Sequence, residues 1–552
     1  MASSYVAEAE VRRYRGKPTV FIDGAPTALP TYSPVSWRGD ILRKAVPWFF
    51  PHGMGAYMLG IPQVKNAAAW GDSPFFEGDT VTATPTAEFA VDMDAQAAFI
   101  LDGDPGAYLI IRNGPTHTPS WRRLHEDQLF VTEAGERIDH PSLASDLYWD
   151  VFAAGLQAMV QYCESRPWGG RIIAYWFGFD GEGTWPPLFG GWLFDHGPAM
   201  TAKWREFLTH RYGSDAALRA AYGDESLSLA TIAVPNDKLR GTVEEVSALR
   251  YWQAGRENAP LRDYMLLQQA LLGAGAKKVF RAQRAATDRK RIFLSDTFKQ
   301  PMMGWSNYGF FDANFPWPLA FPEVMAGSGS IGVADLISEP GCDGLVTPID
   351  YQVRGAGGTT EPEGAADSTV LRGKYFMAEL DLRTYHDDRE HTAYGTARDA
   401  KEFDAISWRS TAAALTRGFN GYWMDIAGGY FFSNAEIQQT IGRSVAALKR
   451  SVEWEHADVP GIAMVLDDAG ALDTNGAGNY FNEAVMWEEK LGISRCGVPY
   501  RIYLLEDLLL DRFPDHRVCY FPTLFRVTEA KLAVLREKVF RDGRVVLWGP
   551  GS

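Results

Sequence analysis

Three segments of the 552-residue chain end an apolar run on carboxylates. They are AYWFGFDGEGTW at 174–185, with Asp180 and Glu182; GKYFMAELDLRTY at 373–385, with Glu379 and Asp381; and GYWMDIAGGYF at 421–431, with Asp425. Two carboxyl groups flanking a scissile bond are what glycosidic cleavage requires. One protonates the leaving oxygen, and the other attacks the anomeric carbon or activates a water. Acids at strand ends are also commonly solvated in loops or paired with arginine, so position alone leaves both readings open. Other chemistries find little support. No H-E-x-x-H or H-x-H pair occurs among the ten histidines, and no G-x-S-x-G elbow is present. The G-x-G-x-x-G at Gly327, Gly329 and Gly332 follows no strand-like run, against its use as a dinucleotide loop. Neither a metal nor an organic cofactor is expected.

The elements that must position these carboxylates alternate in type. Residues 11–30 suggest a small hairpin turning at Asp23-Gly24. Strand-like runs follow near 28–35, 55–61, 107–113, 171–179, 291–298, 343–351, 374–380 and 418–426, most pairs separated by helical patterns. The clearest helices are at 142–165, with apolar residues at i, i+3, i+4 and i+7, and about 246–284. Eight strands each followed by a helix predict a (β/α)₈ TIM barrel, whose catalytic groups sit at the C-terminal strand ends. The predicted catalytic domain is 1–452, including the N-terminal hairpin. At about 453 the rhythm shortens, predicting a smaller doubly wound, flavodoxin-like α/β domain over 453–552, expected to be incomplete because the chain stops just after a strand.

The same three segments resemble clan A glycoside hydrolases, and more narrowly β-galactosidases of the family 42 type. YFMAELDLRTY resembles their strand-seven segment, GYWMDIAGGYF their strand-eight segment and WFGFDGEGTW their strand-four segment, and RGKPTVFIDGAP resembles their opening. The likeness spans roughly residues 10–450, and the segment after it resembles the domain that follows the barrel in family 42. It implies Glu379 as nucleophile, Glu182 as acid/base, and a retaining double displacement on a β-glycoside, with carboxyls about 5–5.5 Å apart. Asp180 is the second choice for the acid. One departure stands out: Gly181 occupies the place of the Asn that clan A sets before its acid/base. That keeps a catalytically inactive sugar-binding barrel among the alternatives, beside another clan A glycosidase such as a β-glucosidase or arabinosidase.

Supporting candidates for holding sugar are Arg112, Asn113 and His117 after strand three, Asp296 after strand five, and Asp425 after strand eight. Trp185, Tyr351 and Trp423 could stack on sugar faces or fill core. Arg383 could pair with Glu379 structurally or keep it ionised, and Arg383 and Asp180 are further candidates for binding substrate. The Gly-rich loop at 352–374 has a composition suited to covering a site, with Glu361 and Glu363 read as solvated.

Bulk properties agree. Hydrophobic residues make up 46% and charged residues 22%, ordinary for a globular protein. The 18 Trp suit sugar platforms or large cores equally. A net charge of −15 opposes nucleic acid, no run is apolar enough to span a membrane, and the expected partner is a carbohydrate substrate. Four scattered cysteines, no N-x-S/T sequon and a polar N-terminus without an apolar signal core read as cytoplasmic. Homo-oligomerisation driven by the C-terminal segment stays open.

Overall fold

The structure is a computed structural model. It describes residues 5–34, 39–60, 75–78, 80–113, 119–178, 192–240, 255–295, 331–351, 353–386, 395–425, 431–473 and 489–549.

Eight parallel strands close into a barrel. In chain order they are Thr31–Pro34, Ala56–Gly60, Tyr108–Asn113, Ile172–Phe177, Ile292–Ser295, Gly344–Pro348, Tyr375–Leu380 and Asn420–Asp425, here strands 1 to 8. Strands 2, 4, 5 and 7 are buried at every residue, as expected when helices cover one face and the barrel interior the other. Alternation then decides which side chains fill the lumen. On strand 7, Tyr375 and Met377 join an interior cluster with Met58, Trp176, Leu294 and Tyr422, while Phe376 and Ala378 pack outward with the helices.

The N-terminal segment closes the lower end of the barrel. Ala7, Ala9, Val20 and Ile22 belong to the interior cluster. The Ala7 and Ala9 amides donate to the carbonyls of Gly170 and Lys290, just before strands 4 and 5. The hairpin expected here is a three-stranded meander, Ala9–Tyr14, Lys17–Ile22 and Ala25–Thr27. The turn at Asp23-Gly24 is present with φ of 52° and 80°, the double left-handed geometry of a tight hairpin. A second such turn, Arg15-Gly16, was not anticipated.

The predicted helix at 142–165 is Asp146–Ser165, capped by Ser145, whose Oγ accepts from the Tyr148 amide at 3.0 Å. The second predicted helix is Ala259–Ala285. The two pack so closely that a Cβ on Gly275 would lie 2.5 Å from the Trp149 ring. Among the described residues, no helix is long and apolar enough to cross a membrane. All four cysteines are free thiols, and only Cys496 is exposed.

After the barrel come four more parallel strands in the spatial order Tyr500–Leu504, Ile462–Leu466, Val518–Phe521, Val545–Trp548. Buried charge joins this sheet to the barrel. Arg417, the last residue of helix Ala400–Arg417, donates to both Glu361 oxygens at 2.8 Å and to Asp367 at 2.5 and 3.1 Å. The Tyr500 hydroxyl donates to Glu361 at 2.9 Å, and the Ile502 amide to Asp367 at 2.7 Å. Burial pushes the Glu361 carboxyl above its ordinary range, and the Arg417 charge opposes it. The expectation that Glu361 and Glu363 are solvated is therefore corrected: they are 1% and 0% exposed. Their loop folds against the barrel because Arg417 and Tyr500 give Glu361 the partners that a buried carboxylate needs.

Arg417→Met leaves Glu361 buried without its counter-charge and Asp367 with only the more distant Arg501, at 3.8 Å. It is expected to cost about 3–5 kcal/mol, read as an earlier urea midpoint; a midpoint equal to that of the unaltered protein would show that this joint contributes nothing.

Candidate functional site

The C-terminal rim of the barrel is built around Glu379. Strand 7 carries it there because the inward set Tyr375, Met377, Glu379 ends on the acid. Register places Glu379 opposite Pro348 of strand 6 and Tyr422 of strand 8. Its side chain is 8% exposed. Two phenols reach it: Tyr422, from strand 8, donates to Oε2, and Tyr351, just past strand 6, donates to Oε1 at 3.4 Å.

Each phenol is itself held. The Arg354 guanidinium lies 3.9 Å from the Tyr351 ring centroid and donates to Asp381 at 3.0 Å. Burial works against the Arg354 charge, but Asp381, Tyr351 and Glu379 more than offset it and raise its affinity for the proton. Arg383 donates to the same Asp381 oxygen at 3.2 and 3.4 Å. On the other side, the Tyr422 ring meets Trp176 edge-on at 5.6 Å, and the Arg112 guanidinium stacks 4.2 Å from the Trp176 ring centroid. A carboxylate set among hydroxyl donors and cations, at the mouth of a closed barrel, is disposed to be an anionic nucleophile or base.

Comparisons with solved structures agree with this geometry at the level of architecture. The β-galactosidase from the psychrophilic Marinomonas ef1 superposes with a TM-score of 0.61 and 14% identity, over 95% of this chain and 75% of that one. A catalytic mutant of Gan42B, a GH42 β-galactosidase from G. stearothermophilus, gives 0.60 and 11%, over 95% and 71%. The fold is that of a GH42 β-galactosidase. The catalytic domain of β-amylase from Paenibacillus polymyxa is also similar, at 0.51 and 13% over 76% of this chain and 98% of that one. No family model matches the chain, and no curated protein matches it in sequence.

Within this β-galactosidase fold the sequence candidates divide. Glu379, Tyr351, Arg383 and Arg112 fall around one another at the rim through the contacts above. Tyr351 donates to the carboxylate, whereas the sequence offered it as a stacking platform. Arg383 bonds Asp381, whereas the sequence offered it as a partner of Glu379 or a substrate-binding residue. Asp425 is fully buried and accepts from the Tyr32 hydroxyl at 3.2 Å, an inter-strand tie between strands 8 and 1. Trp423, 1% exposed, faces the helices in the outer core cluster and does not wall the cleft. Asn113 closes strand 3, but its side chain lies outside the described residues, as do His117, Asp180, Glu182, Trp185 and Asp296 in full.

Sequence reading passed over Tyr422, Trp176 and Arg354. The period-two rule could have found the first. In GYWMD, Tyr422 and Met424 share one face of the strand, and Trp423 and Asp425 share the other.

Trp423→Ala empties a large volume in the helix-facing core, so it is expected to destabilise by about 3–5 kcal/mol while leaving the KM for a sugar substrate within about twofold. A KM raised tenfold at unchanged stability would return Trp423 to the cleft.

Proposed function

We propose that this chain is a retaining β-glycosidase of β-galactosidase type, with Glu379 as nucleophile and Glu182 as acid/base. The observation that carries the reading is Glu379 itself, a nearly buried carboxylate at the C-terminal end of barrel strand 7, held by two phenol donors. The family resemblance of strands four, seven and eight supports it, as does a fold shared with solved β-galactosidases.

The reaction then follows from the groups. A Glu379 oxygen bonds the anomeric carbon through an oxocarbenium-like transition state as the glycosidic C–O bond breaks, and Glu182 gives its proton to the departing oxygen. In the second half, Glu182 takes a proton from water, the water oxygen bonds the anomeric carbon, and Glu379 leaves as carboxylate. Gly181, in place of the usual Asn, favours one competing reading, a barrel that binds sugar without cleaving it.

The deciding experiment uses nitrophenyl glycosides, with the β-D-galactoside or a closely related pyranoside expected as the best substrate. Glu379→Ala is expected to abolish turnover, and azide to restore part of it as a glycosyl azide of inverted anomeric configuration. Full activity in that variant removes the assignment; a protein whose melting temperature rises with sugar but which never releases nitrophenol is a binder.

Glu182→Ala is expected to lose far more activity on alkyl than on dinitrophenyl glycosides, since a good leaving group needs no proton. Equal losses on both would move the acid role to Asp180 or elsewhere.

A further inference from the structure

We infer that Arg409 is a positioning residue of this site: by fixing the backbone from Arg354 to Thr360, it holds the Arg354 guanidinium in place against Tyr351 and Asp381. This rests on the reading of Glu379 as nucleophile.

Arg409 lies on helix Ala400–Arg417, which follows strand 7. Its three donors all go to one loop. Nε donates to Thr360 Oγ1 at 3.1 Å, Nη1 to the Gly355 carbonyl at 2.7 Å, and Nη2 to the Arg354 carbonyl. Burial pushes the guanidinium down to about 10, and no carboxylate among the described residues pairs with it. A cation drawn out of water towards neutral acceptors alone is costly. An apolar side chain of that size would fill the same space without the cost. It could not hold two successive carbonyls and a hydroxyl at once, which the rigid fork of a guanidinium does.

The loop needs such an anchor. Gly355, Gly357 and Gly358 follow Arg354, and Gly357 has a φ of 75°. Glycines leave a backbone many conformations unless contacts select one. The helix is the stiffer partner. Asp399 caps it, accepting from the Glu402 amide at 2.8 Å, and its Phe403, Ile406 and Ala414 are buried. A second contact on the same backbone comes from Gly395, where a Cβ would lie 2.7 Å from the Gly355 nitrogen and 3.1 Å from Arg354 Cγ. The Arg354 side chain, anchored at its root in this way, is itself buried against the Tyr351 ring and Asp381. Tyr351 in turn donates to Glu379. A displaced 354–360 backbone therefore reaches the nucleophile through one ring and one hydrogen bond.

The test compares Arg409→Met with the unaltered protein on the best nitrophenyl glycoside, well below the melting temperature of the variant so that only folded protein is assayed. Expected is a fall in kcat of about 10- to 100-fold, the cost of a small misplacement at a reacting centre, with KM held within about twofold. A purely structural role would lower the melting temperature and leave kcat and KM of the folded protein unaltered, and that outcome overturns the inference.

Should Arg409→Met fail to fold, Gly395→Ala decides. It presses on the same backbone without removing a buried cation, and is expected to lower kcat several-fold at unchanged KM; unaltered kinetics there reject the proposal. Azide rescue of Glu379→Ala, measured alongside, separates the two layers. Rescue together with unaltered kinetics in Arg409→Met defeats only the role of Arg409, whereas absence of rescue defeats the reading of Glu379 itself.

Discussion

A carboxylate removed from water must be given other donors or it will take up a proton. Glu379 meets this constraint with two phenols from the neighbouring strands, and much of the rim is arranged around that requirement. Tyr351 comes from just beyond strand 6 and Tyr422 from strand 8. They reach one side chain only because strand 7 runs between the two in parallel register, Pro348 and Tyr422 flanking Glu379. The closed barrel is thus the device that converges groups distant in sequence. The meander beneath it plugs the lower end with Ala7, Ala9, Val20 and Ile22, and Glu379 lies towards the other end.

Much of this architecture was legible beforehand. Strand 7 was expected at 374–380 and runs Tyr375–Leu380; strand 6 was expected at 343–351 and runs Gly344–Pro348. Parallel strands buried on both faces leave a plain trace, a short apolar run bounded by polar residues. Glu379 was legible for the same reason, as a carboxylate inside such a run. What a single strand does not disclose is how its neighbours are registered. Alternation turns Tyr422 inward and Trp423 outward, but only the pairing of strand 8 with strand 7 sets Tyr422 at the height of Glu379.

The loop at 352–374 shows a different kind of failure. Its glycines and acids have the composition of a solvated cover, yet Glu361, Glu363 and Asp367 are buried. The burial of Glu361 and Asp367 depends on Arg417, about fifty residues later, and on Tyr500 and Ile502 of the second sheet. Charge composition reads as exposure unless the counter-charge is visible, and long-range pairing hides it. That same network fastens the second sheet to helix Ala400–Arg417, whose chain continues directly into strand 8. The support of Tyr422 and the joint between barrel and sheet are therefore neighbours along one stretch of backbone.

The charges near Glu379 form a balanced group. Asp381, 0% exposed, binds both Arg354 and Arg383, and Arg354 also feels the charge of Glu379. With Glu379 ionised, the four groups hold two positive and two negative charges. Protonating Glu379 would leave these four groups with one net positive charge, and Arg112 lies across Trp176. Within this group, charge balance and the two phenol donors act together on the Glu379 carboxylate. Arg383 contributes through Asp381, sharing with Arg354 the balance of its negative charge.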